Sequence, residues 1–259
     1  SREHEKLLNI ITDKSLSEAK VKIMDIDAIA VTQGPGLAGA LLTGISFAKG
    51  LGIGLGIPVI PINHLEGHIF ANFLAEPTLE YPFVCLLVSG GHTQLWYIEG
   101  MEEYSLLGET RDDAAGEAFD KGARILGLGY PGGVAIEKAA IGGNKEAINF
   151  PRAFFQSNTV EFSFSGLKTS VVRRAESMGV YPKKDDNDVD QKIADIAKSF
   201  QEAIVDTIVK NTINAVKRFK AKGLIIGGGV ASNQLLRNVF KKESPIELLI
   251  PRPSLCTDN

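Results

Sequence analysis

Three apolar segments of this chain end in glycine-rich turns, and this repeated pattern constrains the fold more than any other feature. The segments 27–32, 83–88 and 223–226 run into Gln-Gly-Pro-Gly, Ser-Gly-Gly and Gly-Gly-Gly. Buried strands that alternate with helices are typical of an α/β sheet. Glycine at a strand end permits a tight turn and a close approach of a ligand to the backbone. The sequence therefore predicts an α/β fold with binding loops at the strand ends.

The second of these turns, Ser89-Gly90-Gly91, joins the apolar segment 83–88 to another at 94–98. This arrangement predicts a β-hairpin whose tip exposes backbone N–H groups. Gly-Gly is also common in plain hairpin turns, so the residues alone leave two interpretations open. In the functional one, the N–H groups and the Ser89 hydroxyl face an anion such as phosphate.

The third turn, 227–229, precedes a helix that we predict to begin at Gln234. Its three glycines would let a nucleotide approach the backbone closely. The spacing is not G-x-G-x-x-G, so the fingerprint of a Rossmann dinucleotide site is absent.

Two histidines, His64 and His68, are spaced four residues apart after an apolar strand-like segment at 59–62. On a helix they would share one face, and two imidazoles on one face can bind one metal ion. The alternative is a helix with two surface histidines. Glu66 does not follow the first histidine directly, as the glutamate of the zinc-protease motif H-E-x-x-H does. A thermolysin-like mechanism is therefore not expected.

The remaining periodicity predicts several helices and one more strand. We expect helices over 2–20, from 37 to about 52, from 112 with acids in its first turn, from 166, over 189–222 and from 234, and a strand over 246–250.

Composition restricts the class of protein. The 259 residues carry 44% hydrophobic and 23% charged residues with a net charge of −3, which fits a globular protein of one large domain or two lobes. No global basic field indicates nucleic acid, although a local patch would suffice. Cys85 and Cys256 are too few for a disulfide framework, which predicts a cytoplasmic protein. Glycines and Pro58 interrupt the apolar stretch 37–62, so we predict no membrane span there.

Seven motifs occur in one order, and together they resemble a known family. They are Gly34-Pro35-Gly36, His64-x-x-x-His68, Ser89 to Thr93, Asp112 to Lys121, Ser163 to Lys168, Gly228 to Asn233 and Cys256-Thr257-Asp258-Asn259. Their order is similar to that of the TsaD family of tRNA N6-adenosine threonylcarbamoyltransferases, formerly called O-sialoglycoprotein endopeptidases. The resemblance spans essentially the whole chain and is closest to the bacterial branch.

The resemblance implies a two-lobed actin-like ATPase fold, as in sugar kinases and Hsp70. It places an N-terminal lobe at 1–80 and a C-terminal lobe at 81–259, with the nucleotide and metal site at the cleft. The implied reaction transfers the threonylcarbamoyl group from threonylcarbamoyl-AMP to N6 of adenosine 37 in tRNAs that read ANN codons. Relative to the family, the chain begins after a Glu-Thr-Ser-Cys-Asp motif and ends at Thr-Asp-Asn, so truncation at both ends is expected.

The resemblance also implies the site residues. One divalent metal ion, iron or zinc, would be bound by His64, His68 and Asp258. Substrate-binding positions fall on Leu87, Val88, Ser89, Gly90, Gly91, Asp120, Gly133, Glu137 and Asn233. No general base is assigned, because His92 and His4 are candidates by chemistry alone.

The implied partners are tRNA, TsaB as a heterodimer, and TsaE. Glycine and alanine let helices pack closely, so we expect TsaB to pair with the small-residue helix at 39–52, where Gly44 is a test position. Two basic clusters are candidate tRNA contacts or solvated helix faces. They are Arg173, Arg174, Lys183 and Lys184, and Lys217, Arg218, Lys220 and Lys222. Alternative functions are a metalloprotease, a small-molecule kinase or carbamoyltransferase, and an inert scaffold paralogue.

Overall fold

The computed structural model describes residues 2–74, 80–101, 103–153, 160–182, 188–252 and 256. It divides the chain into two compact units, Ser1–Phe70 and Ala71–Asn259. The structure places the boundary after Phe70, whereas the boundary predicted from the sequence lies ten residues later, after residue 80. The assignment of functional sites to the two lobes stays a prediction.

The first unit is a small α/β layer. Its elements are α1 (Arg2–Ala19), β1 (Ile29–Gly34), α2 (Ala38–Leu55), β2 (Val59–Asn63) and α3 (His64–Phe70). Strands β1 and β2 are parallel, with Ile29 opposite Val59. Helix α2 lies close to this pair because Gly52 has no side chain: a Cβ there would lie 2.6 Å from Val59 Cγ2.

Helix α2 also has an exposed apolar face. Its 18 residues have a mean hydropathy of 1.4, and by length and composition it could cross a membrane, although a packed helix can pass the same test. Only 11% of it is buried, and Leu42 and Ile53 are 65% and 84% exposed. The described part of its unit therefore leaves much of the helix uncovered.

The second unit contains a five-stranded sheet. Its strands are β3 (Phe83–Val88), β4 (Thr93–Ile98), β5 (Tyr104–Glu109), β6 (Gly223–Gly227) and β7 (Glu247–Leu249), in the order β5-β4-β3-β6-β7. The pairs β3–β4 and β4–β5 are antiparallel, whereas β3–β6 and β6–β7 are parallel. All six side chains of β3 are buried, which explains its continuous apolar sequence.

The described part of this unit also contains five α-helices: α4 (Ala115–Ile125), α5 (Gly132–Ala139), α6 (Ser165–Ser177), α7 (Val189–Phe219) and α8 (Gln234–Glu243). Helix α7 packs against α4, α5, α6 and α8, and its stripe of Ile196, Phe200, Ile204 and Ile208 is buried. A left-handed Lys220 (φ 52°) ends it before the predicted Lys222. The short strand β5 was missed by the sequence analysis.

One predicted helix start is wrong. The acids Asp112 and Asp113 were expected in the first turn of a helix, but α4 begins at Ala115. Asp112 instead accepts hydrogen bonds at the start of α6, from the backbone N–H of Phe164 (2.8 Å) and of Ser165 (3.1 Å). Its partners are about 50 residues away in the chain, so local spacing could not reveal them.

Candidate functional site

The second unit contains a cavity of about 370 Å³, within the range of small-molecule sites. It lies beyond the carboxyl ends of the adjacent parallel strands β3 and β6, where open α/β sheets bind ligands. The lining consists of Gly90, Gly116, Phe119, Asp120, Tyr130, Pro131, Gly133, Val134, Glu137, Gly229, Val230, Ser232 and Asn233.

Three helix N-termini contribute to this lining. Gly116 lies in the first turn of α4, Gly133 in the first turn of α5, and Asn233 directly before α8. The first N–H groups of a helix lack partners within the helix, and the helix dipole is positive at that end. The helix ends therefore favour an anion such as phosphate beside them, whereas the charged side chains of the lining, Asp120 and Glu137, are both acidic.

The predicted hairpin is confirmed, and its tip reaches the cavity through Gly90. The turn is closed by the Ser89 N–H, which donates to His92 O (2.8 Å), and by the His92 N–H, which donates to Ser89 Oγ (3.1 Å). The Ser89 hydroxyl thus accepts a bond within the turn. The side chains of Leu87 and Val88 are buried in the sheet, so only their backbone atoms could contact a ligand.

Helix α4 holds the hairpin tip at very short range. The Gly116 N–H donates to Ser89 O (3.1 Å), and the Ala115 N–H donates to Thr93 Oγ1 (2.9 Å). A Cβ on Gly116 would lie 2.5 Å from Ser89 O and 2.7 Å from the Cα of Gly90. Only glycine allows this approach, so Gly116 sets the position of the hairpin.

Asp120 connects α4 to α5. Its Oδ1 accepts a hydrogen bond from the Gly132 N–H (2.7 Å), in the first turn of α5. A Cβ on Gly132 would collide with the Asp120 backbone. With Oδ1 engaged, Oδ2 of this cavity-lining carboxylate is the oxygen available to a ligand hydroxyl.

Glu137 and Asn233 both hold the start of α8. Glu137 Oε1 accepts from the Gln234 N–H (2.7 Å), and Asn233 Oδ1 accepts from the Leu236 N–H (3.0 Å). The Asn233 amide group donates through Nδ2 to Gln201 Oε1 (3.1 Å). Both residues therefore have structural roles beside any contact with a ligand.

The predicted histidine helix is confirmed as α3. The side chain of Asn63 accepts from the Leu65 N–H at its start (2.9 Å), and the His64 and His68 rings lie 4.5 Å apart between centroids. Imidazole nitrogens are ligands that zinc and iron accept, so this pair could supply two ligands of a divalent metal. Asp258, the implied third ligand, lies outside the described residues, within which no group of three or more His, Cys, Asp or Glu could hold a metal ion.

Other ionisable groups near α4 have structural partners. Burial raises the pKa of Asp112, but hydrogen bonds from Ser163, Phe164 and Ser165 lower it, and the net pKa is below its usual value. Lys121 pairs with Asp113 (2.6 Å) and Glu117 (2.9 Å), and these bonds raise its pKa. Cys85 is fully buried, and burial raises the pKa of its thiol.

Sequence reasoning missed most of the apolar lining of the cavity. Phe119, Tyr130, Val134 and Val230 provide flat or branched surfaces beside the polar groups. In the sequence, the Tyr-Pro-Gly-Gly segment at 130–133 is typical of a turn and does not by itself indicate a binding surface. Tyr130 is 84% exposed in the structure, which the sequence alone does not reveal.

The structure is that of an α/β protein with an actin-like fold. Two solved structures share the fold at low identity. T. kodakarensis HypF has a TM-score of 0.63 at 15% identity and is matched over 89% of this chain and 38% of its own. (R)-2-hydroxyglutaryl-CoA dehydratase component A of Acidaminococcus fermentans has a TM-score of 0.53 at 16% identity. It is matched over 93% of this chain and 76% of its own.

Within that class, the chain belongs to the TsaD family, tRNA N6-adenosine threonylcarbamoyltransferase, whose family model matches residues 1–259. Proteins named tRNA N6-adenosine threonylcarbamoyltransferase from Clostridium botulinum (strain Hall) and Desulfitobacterium hafniense (strain Y51) are each 50% identical to it over 262 aligned residues. Both alignments cover 100% of this chain and 75% of the relative. The family predicted from the motif order is confirmed.

Proposed function

We propose that this protein transfers the threonylcarbamoyl group from threonylcarbamoyl-AMP to N6 of adenosine 37 in tRNAs that read ANN codons. The observation that carries the proposal is the convergence of five implied substrate-binding residues on one cavity. They are Gly90, Asp120, Gly133, Glu137 and Asn233, and they come from four different elements or turns of the second unit.

The cavity suits an adenylate in three respects. The Gly90 tip offers backbone N–H groups to the phosphate, and the helix N-termini add the positive ends of their dipoles. Asp120 and Glu137 each keep one carboxylate oxygen for ribose hydroxyls, since the other accepts a backbone N–H. Phe119, Val134 and Val230 give apolar surface against which the adenine ring can pack.

In the proposed reaction, the amino nitrogen N6 of adenosine attacks the carbonyl carbon of the carbamoyl group. A C–N bond forms, the C–O bond to the phosphate of AMP breaks, and AMP leaves while N6 loses a proton. The leaving phosphate takes up the electron pair of the broken C–O bond, so negative charge develops on its oxygen in the transition state. Backbone N–H groups around Gly90 would hold this phosphate and stabilise that charge.

We further propose that His64 and His68 hold one divalent metal ion, iron or zinc, with Asp258 retained as the implied third ligand. A bound metal of this kind supplies Lewis-acid polarisation of an oxygen. Metal content of His68→Ala should fall sharply, whereas His4→Ala, which removes an exposed histidine on α1, should keep the content of the parent. Equal content in both variants would show that the metal is bound elsewhere.

The main test is formation of threonylcarbamoyladenosine in tRNA from threonylcarbamoyl-AMP, measured with TsaB and TsaE present. Asp120→Ala should weaken adenine-nucleotide binding, and Glu117→Ala, a carboxylate of the same helix outside the cavity lining, should not. Unchanged affinity in both Asp120→Ala and Asn233→Ala would remove the nucleotide from this cavity. A parent protein that binds nucleotide but forms no modified tRNA would be an inert scaffold.

The proposed partners are TsaB, TsaE and tRNA. The exposed face of α2, with Leu42, Gly50 and Ile53, supports it as the docking surface for TsaB. Of the basic clusters, Arg173, Arg174 and the four cations at 217–222 are exposed, while Lys183 and Lys184 lie outside the described residues. We propose a cytoplasmic location because tRNA is the substrate.

A further inference from the structure

Gln201 is a polar residue in the buried stripe of α7, and neither the motifs nor the family resemblance assigns it a role. It is 3% exposed, and its neighbours Ser199 and Phe200 are 1% and 0% exposed. A buried amide costs free energy unless its polar atoms are hydrogen-bonded, so a position surrounded by apolar side chains favours a hydrophobic residue. The presence of glutamine here requires an explanation.

The partner of Gln201 is Asn233, which lines the cavity. Gln201 Oε1 accepts a hydrogen bond from Asn233 Nδ2 (3.1 Å). The orientation of the Asn233 amide is determined by its other bond, because the backbone N–H of Leu236 can only donate and therefore selects Oδ1. Nδ2 must then face Gln201, so the two bonds together hold the Asn233 side chain in one rotamer and one orientation.

The same stretch of α7 supports the cavity in a second way. Phe200, beside Gln201, packs edge-to-face on Phe119, a lining residue, with ring centroids 6.1 Å apart. A Cβ on Gly122 of α4 would collide with the Phe200 ring, so the two helices are in close contact at this point. Successive helical residues point about 100° apart, which lets Phe200 contact α4 while Gln201 contacts the start of α8.

We infer that Gln201 is a positioning residue of the cavity, which orients the Asn233 side chain for an adenine nucleotide and secures the first turn of α8. The inference rests on the proposed function for the identity of the ligand, but not for the geometry. Gln201 itself acts through Asn233.

Two substitutions separate positioning from simple packing. Gln201→Met keeps the length of the side chain and removes the acceptor, while Gln201→Glu keeps an acceptor oxygen but buries a carboxylate. If Gln201 only fills space, methionine should be the better tolerated in every measurement. If it positions Asn233, Gln201→Glu should bind nucleotide more nearly like the parent, although its folding stability is the lower of the two.

The first measurement is the affinity for AMP by calorimetry. Gln201→Met should weaken it by about tenfold, the loss expected for one buried hydrogen bond. In an Asn233→Ser background, which retains a helix-capping hydroxyl, the same substitution should have little further effect. Thr207→Val is the control: this buried hydroxyl of α7 donates to Ala203 O within its own helix, so affinity should not change.

The second measurement is hydrogen exchange of the Leu236 amide in the protein without nucleotide. Gln201→Met should speed it, and Thr207→Val should not. The inference would be overturned if Gln201→Met kept the parental exchange rate of the Leu236 amide and the parental affinity for AMP. It would also be overturned if the losses of affinity in Gln201→Met and Asn233→Ser were additive. Neither outcome would affect nucleotide binding by the parent. Faster Leu236 exchange in a protein that binds no AMP would support the positioning of Asn233 and refute the proposed ligand.

Discussion

Replacement of Gly116 by alanine is the sharpest test of how the cavity is built. The added Cβ would lie 2.5 Å from Ser89 O, 2.7 Å from Gly90 Cα and 2.8 Å from Gly90 N. All three atoms belong to the backbone of the hairpin, so no side-chain rotation can relieve the clash. The hairpin tip and α4 must move apart.

The structure sets the size of the effect. An ordinary contact needs about 3.4 Å or more, so the separation must increase by roughly 0.9 Å at Ser89 O. Overpacking of this kind costs about 1–3 kcal/mol. Alanine recovers at most about 0.5–1 kcal/mol through its better helix propensity. The net loss of stability is then about 0–2.5 kcal/mol. A displacement of roughly 0.9 Å in a binding group can cost about a hundredfold in rate.

The assay combines urea unfolding, AMP affinity and tRNA modification. Gly166→Ala is the matched control, because Gly166 is also the second residue of its helix, α6, and a Cβ there meets nothing within 4 Å. It should be neutral or slightly stabilising. If Gly116→Ala matched this control in stability and in AMP affinity, the hairpin would not depend on the glycine, and the reasoning would be refuted.

Two further predictions concern α6 and α2. Asp112→Ala should lower the free energy of unfolding by about 1–2 kcal/mol at pH 7, because it removes a charged acceptor at the start of α6. The folded-state pKa of Asp112 is depressed, so its contribution to stability is complete above the unfolded-state pKa of about 3.9 and is lost as pH falls through the folded-state pKa. An equal difference in the free energy of unfolding between the parent and Asp112→Ala at pH 7 and at pH 2 would contradict this. For TsaB docking, Gly50→Leu should abolish co-elution with TsaB and preserve metal content, since a Cβ there meets nothing within 4 Å. Gly44, the test position named from the sequence, is the poorer choice because its Cβ would face Val31 of β1. A Gly50→Leu variant that still co-elutes with TsaB would show that the interface lies elsewhere.

The sequence predicted the element types well where local patterns are strong. The alternation of buried strands and glycine turns indicated an α/β fold, and β3, the hairpin and α7 were found near their predicted places. Prediction was weaker where distant contacts decide the outcome. Strand β5 lies next to β4 at one end of the strand order, and its positions are exposed or half-buried, so its sequence lacks the apolar run that marked the others.

The candidate site shows the same division. The family resemblance implied Asp120, Gly133, Glu137 and Asn233 as substrate-binding positions, and all four line one cavity. The sequence could not show that the Asn233 side chain is held by a hydrogen bond to Gln201. The two residues are 32 positions apart, and the helical stripe around Gln201 resembles ordinary core. Resemblance to a family assigns positions, whereas the hydrogen bonds that orient them arise only when helices pack.

By itself, then, the sequence determined the α/β class, the histidine pair on one helix face and the glycine turns at the strand ends, since each depends on residues within one or two turns of each other. Only the tertiary structure decided that Asp112 caps α6 rather than starting α4, that Gly116 sets the hairpin tip, and that Gln201 supports the cavity wall. These three features depend on the distance between segments far apart in the chain. That distance is set by how the sheet and helices pack, which no local pattern encodes.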